Sequence, residues 1–279
     1  MIELPTDRKR FAPERLRLAV LDWAGTTVDF GSRAPIAAIL SAFESAGVPV
    51  TEEEARRPMG RAKRDHLQAL LEQPPVAARW AGARGAPPTE ADLDAIYSDF
   101  LSRQAECVVS HSGVIDGCVD SIAACRELGL AIGSSTGYTR PLLEAVARRA
   151  AEEGYRPDAM LSADDVAPGR PAPWLCTENA RRLDVWPMAA VVKADDTPAG
   201  VEAGRHAGAW SVGVVASGNE VGLSAHAFAR LTPAEREAKL HPARATLTEA
   251  GAHYLIDTIG ELPEVVRRIN ERMAKGDSP

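Results

Sequence analysis

Residues 18–32, LAVLDWAGTTVDFGS, decide how the rest of this chain is read. Leu18 to Leu21 form an apolar run with the length and flanks of a buried parallel strand. The run stops at Asp22, and small residues through Ala24 and Gly25 lead to the hydroxyls of Thr26 and Thr27. An acid at the carboxyl end of a buried strand stands where open α/β sheets bind ligands. The backbone N–H groups and hydroxyls that follow suit an anion such as phosphate. Alone, the same Asp does no more than begin a turn. The weight therefore falls on what the other strands end in.

Beyond residue 110, strand and helix signals alternate. Strands are expected at 129–134, 159–162, 189–194, 210–215 and 253–256, with helices between them and a terminal helix at 263–273. That alternation predicts an α/β fold built on a doubly wound parallel sheet. Between the first strand and this series only helices are expected. One covers 35–47, with Ile36, Ile39, Leu40 and Phe43 on one face. Thr51 caps another, a third covers about 61–71, a short one surrounds Trp80, and Thr89-x-x-Asp92 opens the last. The organisation expected is a core of residues 1–31 and 110–279 carrying an inserted all-helical cap of residues 32–109. Residues 217–251 are polar and Ala-rich, and helical packing without chemistry is expected there.

The expected strands end in Asp22, in Ser134-Ser135-Thr136-Gly137, in Asp164-Asp165 and in Asp195-Asp196-Thr197. In a parallel sheet these ends share one edge. Asp22 and Asp196, with a backbone carbonyl near Ala24, offer the oxygen ligands that suit Mg²⁺. Thr136 and the Gly137 N–H can take phosphoryl oxygens, and Arg170, inside Pro168-Gly169-Arg170-Pro171, can clamp them.

The formal net charge is −7 with 25% charged residues, and no basic run points to nucleic acid or an anionic membrane. An anionic substrate then needs local positive charge. No apolar stretch spans a bilayer, and the N-terminus lacks the apolar segment of a secretory signal. Cys107, Cys118, Cys125 and Cys176 show no CxxC spacing. A cytoplasmic protein is expected.

The motif at 18–29 resembles the first motif of the haloacid dehalogenase superfamily, and DWAGTTVD at 22–29 is similar to that of its phosphonatase family, the phosphonoacetaldehyde hydrolases. Phosphatases of the superfamily usually carry Asp-x-Asp, whereas this chain has Ala24 at the second place. The resemblance runs over residues 18–272 and includes GSSTGYTR at 133–140, PGRPAPW at 168–174 and the cap signature PMGxxKxxH at 58–66. It implies a haloacid dehalogenase-like Rossmannoid core. It also implies Asp22 as the nucleophile that becomes an aspartyl phosphate, Lys63 as the amine that forms an imine with phosphonoacetaldehyde, and Mg²⁺ as cofactor. Read on a helix, Met59, Lys63 and His66 form one stripe, and desolvation together with like charge from the nearby Arg61 and Arg64 is expected to lower the amine pKa. Met59 is expected to keep the amine neutral and His66 to relay protons. A homodimer through cap helices, including the region of Trp80, is implied too. Two departures stand out: Gly200 replaces a second acid common four residues beyond Asp196, leaving Asp195 or Asp165 to supply it, and Ser32 stands where some relatives carry Cys. The alternatives are a superfamily phosphatase or phosphomutase, and a silent phosphate-binding protein.

Overall fold

The structure, a computed structural model, describes residues 13–279, those at 106, 107, 109 and 110 by backbone alone. The readings of the extreme N-terminus and of the Cys107 side chain lie outside what is described.

The chain begins with β1 (Leu18–Leu21) and then runs through α1 (Arg33–Ser45), α2 (Glu52–Arg56), α3 (Lys63–Leu71), α4 (Pro74–Arg84) and α5 (Glu90–His111). Alternation follows: α6 (Cys118–Glu127), β2 (Ala131–Ser135), α7 (Arg140–Glu152), β3 (Ala159–Leu161), α8 (Trp174–Arg182), β4 (Val191–Asp195), α9 (Pro198–His206) and β5 (Trp210–Val214). The chain closes with α10 (Ala225–Ala229), α11 (Pro233–Glu249), β6 (Tyr254–Ile256) and α12 (Leu262–Ala274). The strands form one parallel sheet in the order β3-β2-β1-β4-β5-β6.

The pleat explains why β1 is apolar throughout. Ala19 and Leu21 pack with Ile122, Leu143 and Val266 from α6, α7 and α12, whereas Leu18 and Val20 pack with Ala180 of α8 on the other face. The chain leaves β1 toward β2 and β3 on one side and returns to β4, β5 and β6 on the other. The β1/β4 boundary is therefore the switch point, where a crevice opens beyond the strand ends.

Helices α1–α5 gather around a cluster of their own, including Phe43, Leu67, Leu70, Trp80, Ile96 and Phe100. Thr51 caps α2 through a reciprocal pair with Glu54. Two expectations need correction. The helix around Trp80 is longer than expected, spanning Pro74–Arg84, and its indole is buried against this chain's own helices. Helix α3 begins at Lys63, because Gly60 at φ +89° turns the chain before it. Met59 therefore lies in that turn and not on a common helical stripe. Among the described residues no helix is long and apolar enough to cross a membrane.

Candidate active site

Asp22 follows β1 and its N–H donates to the Ala194 carbonyl of β4 at 3.0 Å, which sets it beside Asp195 and Asp196. Carboxylate oxygens of Asp22, Asp195 and Asp196 lie within 4.8 Å of one another, all buried. Thr26 Oγ1 donates to Asp196 at 3.0 Å, and the Asn219 N–H donates to its other oxygen at 2.8 Å. A Cβ on Gly25, whose φ is +84°, would come 2.2 Å from Asp196 Oδ2, so only glycine lets the turn close around that carboxylate. Ser217 Oγ donates to the Gly25 carbonyl at 2.8 Å. Ser217 and Asn219 thus build the site from a loop in which no chemistry was expected.

Arg170 is buried between the acids. It meets Asp22 Oδ1 at 2.7 Å and Asp195 Oδ2 at 3.0 Å, and it donates to the Ser135 carbonyl and hydroxyl at 2.6 and 2.8 Å. Lys193, fully buried in β4, donates to Asp195 at 2.7 Å. Among the described residues, Asp196 by contrast receives only neutral donors. Burial first, then Asp22 and Asp195, push its carboxyl well above the usual range. Burial and Asp195 also raise Asp22, against the pull of Arg170 and Lys193. Burial would raise Asp195 as well, but Arg170 and Lys193 outweigh it and hold that carboxyl low. Crowded hard oxygens with an unneutralised member fit a divalent cation.

The helical insertion closes the site from above. Asp22, Ala24, Met59, Gly60, Lys63, Thr136, Gly137, Tyr138 and Arg170 line one chamber of about 20 Å³, shared with Ser32, Pro35 and Thr197. Lys63 Nζ lies 3.6 Å from Met59 Sδ and 5.6 Å from the centre of the Tyr138 ring. Burial lowers the Lys63 pKa to about 8; Asp22 and Asp196 oppose this and Arg170 adds to it. The lowering cation is thus Arg170. Arg64 turns outward to Glu90 and Asp94 at 2.6 and 2.8 Å, and Arg61 acts on His66 instead. His66 is buried, with its pKa lowered to about 3 by burial and by Lys63. Its Nε2 lies 2.8 Å from the Ala55 carbonyl, which can only accept, so Nε2 carries the proton. Nδ1 has no partner among the described residues, and its lone pair is available to accept a hydrogen bond, while the low pKa keeps the ring neutral.

The turn that delivers Lys63 has little room for change. A Cβ on Gly60 would fall 2.2 Å from Thr197 Oγ1. Gly60→Ala is therefore expected to displace the turn and cost about 10- to 100-fold in turnover, since misplacing a reacting group by about 1 Å has that effect. Circular dichroism should stay that of the parent. Parent-like turnover would mean that this turn does not position Lys63.

Of the residues expected at the site, Asp22, Ala24, Met59, Lys63, Thr136, Gly137 and Arg170 meet in the chamber, Asp196 joins Asp22 beneath it, and His66 stands behind Lys63. Asp164 and Asp165 do not join them. Asp164 accepts the Arg140 N–H at 2.7 Å, while Asp165 accepts from the Ser162 N–H and hydroxyl and pairs with Arg140 and Arg182. Their strand leads into a short 3₁₀ turn that directs both acids into capping. Lys193, Ser217 and Asn219 were missed. A lysine inside the apolar run VVKAD was the one available signal, since a charge in a buried strand needs a partner.

Residues 12–208 match the haloacid dehalogenase-like hydrolase family. A curated relative from Nitratidesulfovibrio vulgaris, a phosphonoacetaldehyde hydrolase, is 43% identical over 99% of this chain and 98% of its own. Another phosphonoacetaldehyde hydrolase, from Klebsiella pneumoniae subsp. pneumoniae, is 46% identical over 95% of this chain and 99% of its own. The crystal structure of a phosphonoacetaldehyde hydrolase-like protein from Oleispira antarctica superposes with a TM-score of 0.94 at 35% identity, covering 100% of both chains. The chain belongs to the haloacid dehalogenase-like hydrolases and, within them, to the phosphonoacetaldehyde hydrolase family.

Proposed function

We propose that this protein hydrolyses the carbon–phosphorus bond of phosphonoacetaldehyde, giving acetaldehyde and phosphate. The observation that carries this reading is a buried lysine of lowered pKa sharing one chamber with a buried Asp and no second acid at Ala24. A phosphate ester releases an alkoxide, which an acid at position 24 would protonate. A phosphonate must instead release a carbanion, which needs an electron sink. The Lys63 amine adds to the aldehyde and water leaves, forming an imine that takes up a proton. Asp22 attacks phosphorus, and the electron pair of the breaking P–C bond moves into the iminium, leaving an enamine. Water then cleaves the aspartyl phosphate, while the enamine is protonated at carbon and hydrolysed to acetaldehyde and free Lys63.

Around these steps, Arg170, Thr136 and the Gly137 N–H hold phosphoryl oxygens. His66, held neutral by its lowered pKa, acts through its unpaired Nδ1 as a hydrogen-bond acceptor that orients a water carrying the proton during imine formation. Met59 gives the amine an apolar setting. Mg²⁺, held by Asp22, Asp196 and the Ala24 carbonyl, would supply charge neutralisation for the transferring group. A chamber of about 20 Å³ holds little more than a water. Residues 32–109 therefore act as a cap domain that lifts from a core of residues 1–31 and 110–279 to admit substrate. The family resemblance further supports a cytoplasmic homodimer joined through the cap helices, including the region of Trp80.

Incubating the protein with Mg²⁺ and phosphonoacetaldehyde should yield acetaldehyde and phosphate in equal amounts. Phosphate without acetaldehyde, or neither, would overturn the reading. The pH profile carries a second expectation. With a pKa of about 8, Lys63 is about one-tenth neutral at pH 7 and half neutral at pH 8. Only the neutral amine adds to an aldehyde, so kcat/KM should rise with pH and level off above about pH 8. A rise continuing toward the pKa of a solvated lysine, roughly 10.4, would contradict a desolvated amine.

A further inference from the structure

Asp195 and Gly200 stand in an unusual relation. Gly200 lies in the first turn of α9, and its N–H faces the Thr197 hydroxyl at 3.2 Å. A Cβ placed on it would lie 1.9 Å from Asp195 Cγ and 2.0 and 2.1 Å from the two carboxylate oxygens. The Asp195 carboxylate therefore fills the space where a side chain at 200 would begin. That carboxylate is also fully engaged. One oxygen accepts from the Thr197 N–H at 3.1 Å and the Thr197 hydroxyl at 2.7 Å, and the other from Lys193 at 2.7 Å and Arg170 at 3.0 Å. Four donors use the acceptor sites of a carboxylate. Asp195 is thus spent on bracing Arg170, whereas Asp22 and Asp196 keep acceptor capacity toward a cation.

We propose that Asp195 and Gly200 are an exchanged pair: the carboxylate that braces Arg170 beside the Asp22–Asp196 site comes from the end of β4, and residue 200 is glycine because that carboxylate occupies the place of its side chain. Asp195 is on this account a positioning residue whose charge and bracing also strengthen cation binding at Asp22 and Asp196. Lys193 is its built-in counter-ion, which lets a buried acid stand there without drawing Arg170 wholly to itself. The account rests on the cation reading given above.

The test compares the parent with Asp195→Gly, Gly200→Asp and the double variant, using Mg²⁺ titration by calorimetry and thermal unfolding. Asp195→Gly should bind Mg²⁺ about 10- to 100-fold more weakly, the usual effect of removing a supporting partner. Gly200→Asp alone puts two carboxylates in one space and should unfold at a lower temperature than the parent. The double variant, with its acid moved to 200, should regain Mg²⁺ affinity to within a few-fold of the parent and unfold above Gly200→Asp. If Asp195→Gly fails to fold, a folded, Mg²⁺-binding double variant supports the exchange and an unfolded one overturns it. Asp195→Asn, which keeps the shape and loses the charge, should also bind Mg²⁺ more weakly. Parent-like affinity in Asp195→Gly or Asp195→Asn, or a double variant no better than the worse single, would overturn the proposal. A parent that binds no Mg²⁺ would overturn the cation reading and this proposal together.

Discussion

Lys63→Arg should abolish cleavage of phosphonoacetaldehyde, with a loss of at least about 10³-fold, the scale seen when a covalent catalyst is removed. A guanidinium stays charged at any working pH and cannot add to an aldehyde. The loss should not come from unfolding, because the contacts of Lys63 Nζ among the described residues are weak ones, the Met59 thioether at 3.6 Å and the Tyr138 face at 5.6 Å. Asp22, Arg170 and Asp196 keep their partners in this variant. Acetyl phosphate, whose leaving group needs no electron sink, should therefore still be hydrolysed slowly. The two assays on one preparation separate loss of the imine from loss of the phosphoryl site. Full P–C cleavage in Lys63→Arg would remove the amine from the mechanism.

Asp22→Asn should lose both activities, by about 10³- to 10⁶-fold. The amide is a poor nucleophile and a weaker ligand for a cation. Folding should survive, since burial and Asp195 already disfavour a charged group at this place and Asn has the same shape. Arg170 loses its 2.7 Å partner but keeps Asp195 at 3.0 Å. Residual turnover of phosphonoacetaldehyde near that of the parent, with native circular dichroism, would exclude Asp22 as the nucleophile.

What could be read from the chain beforehand follows from how local the cause is. Asp22 and Asp196 were legible because a buried parallel strand must end at the sheet edge, and β1 and β4 are apolar enough to be found. The same rule overreached at Asp164 and Asp165. It locates the end of a strand but not the direction of a side chain in the 3₁₀ turn that follows. Lys63 was legible through its motif and Met59 through proximity, although the helical stripe that joined them is broken by Gly60. The Asn219 N–H on Asp196 was not legible, since a backbone donor leaves no mark in a side-chain pattern. Burial as the main cause of the Lys63 shift was legible, but the cation that adds to it was not, because Arg170 lies far away in sequence.

The central claim is that Lys63 forms an imine with the substrate, and reductive trapping tests it most directly. Incubation with phosphonoacetaldehyde followed by borohydride should convert the imine to a stable secondary amine and inactivate the protein irreversibly. Peptide mapping by mass spectrometry should then place the added mass on Lys63 and on none of the other lysines, Lys193 included. Trapping on a different lysine, or inactivation-free turnover in the presence of borohydride, would contradict the account.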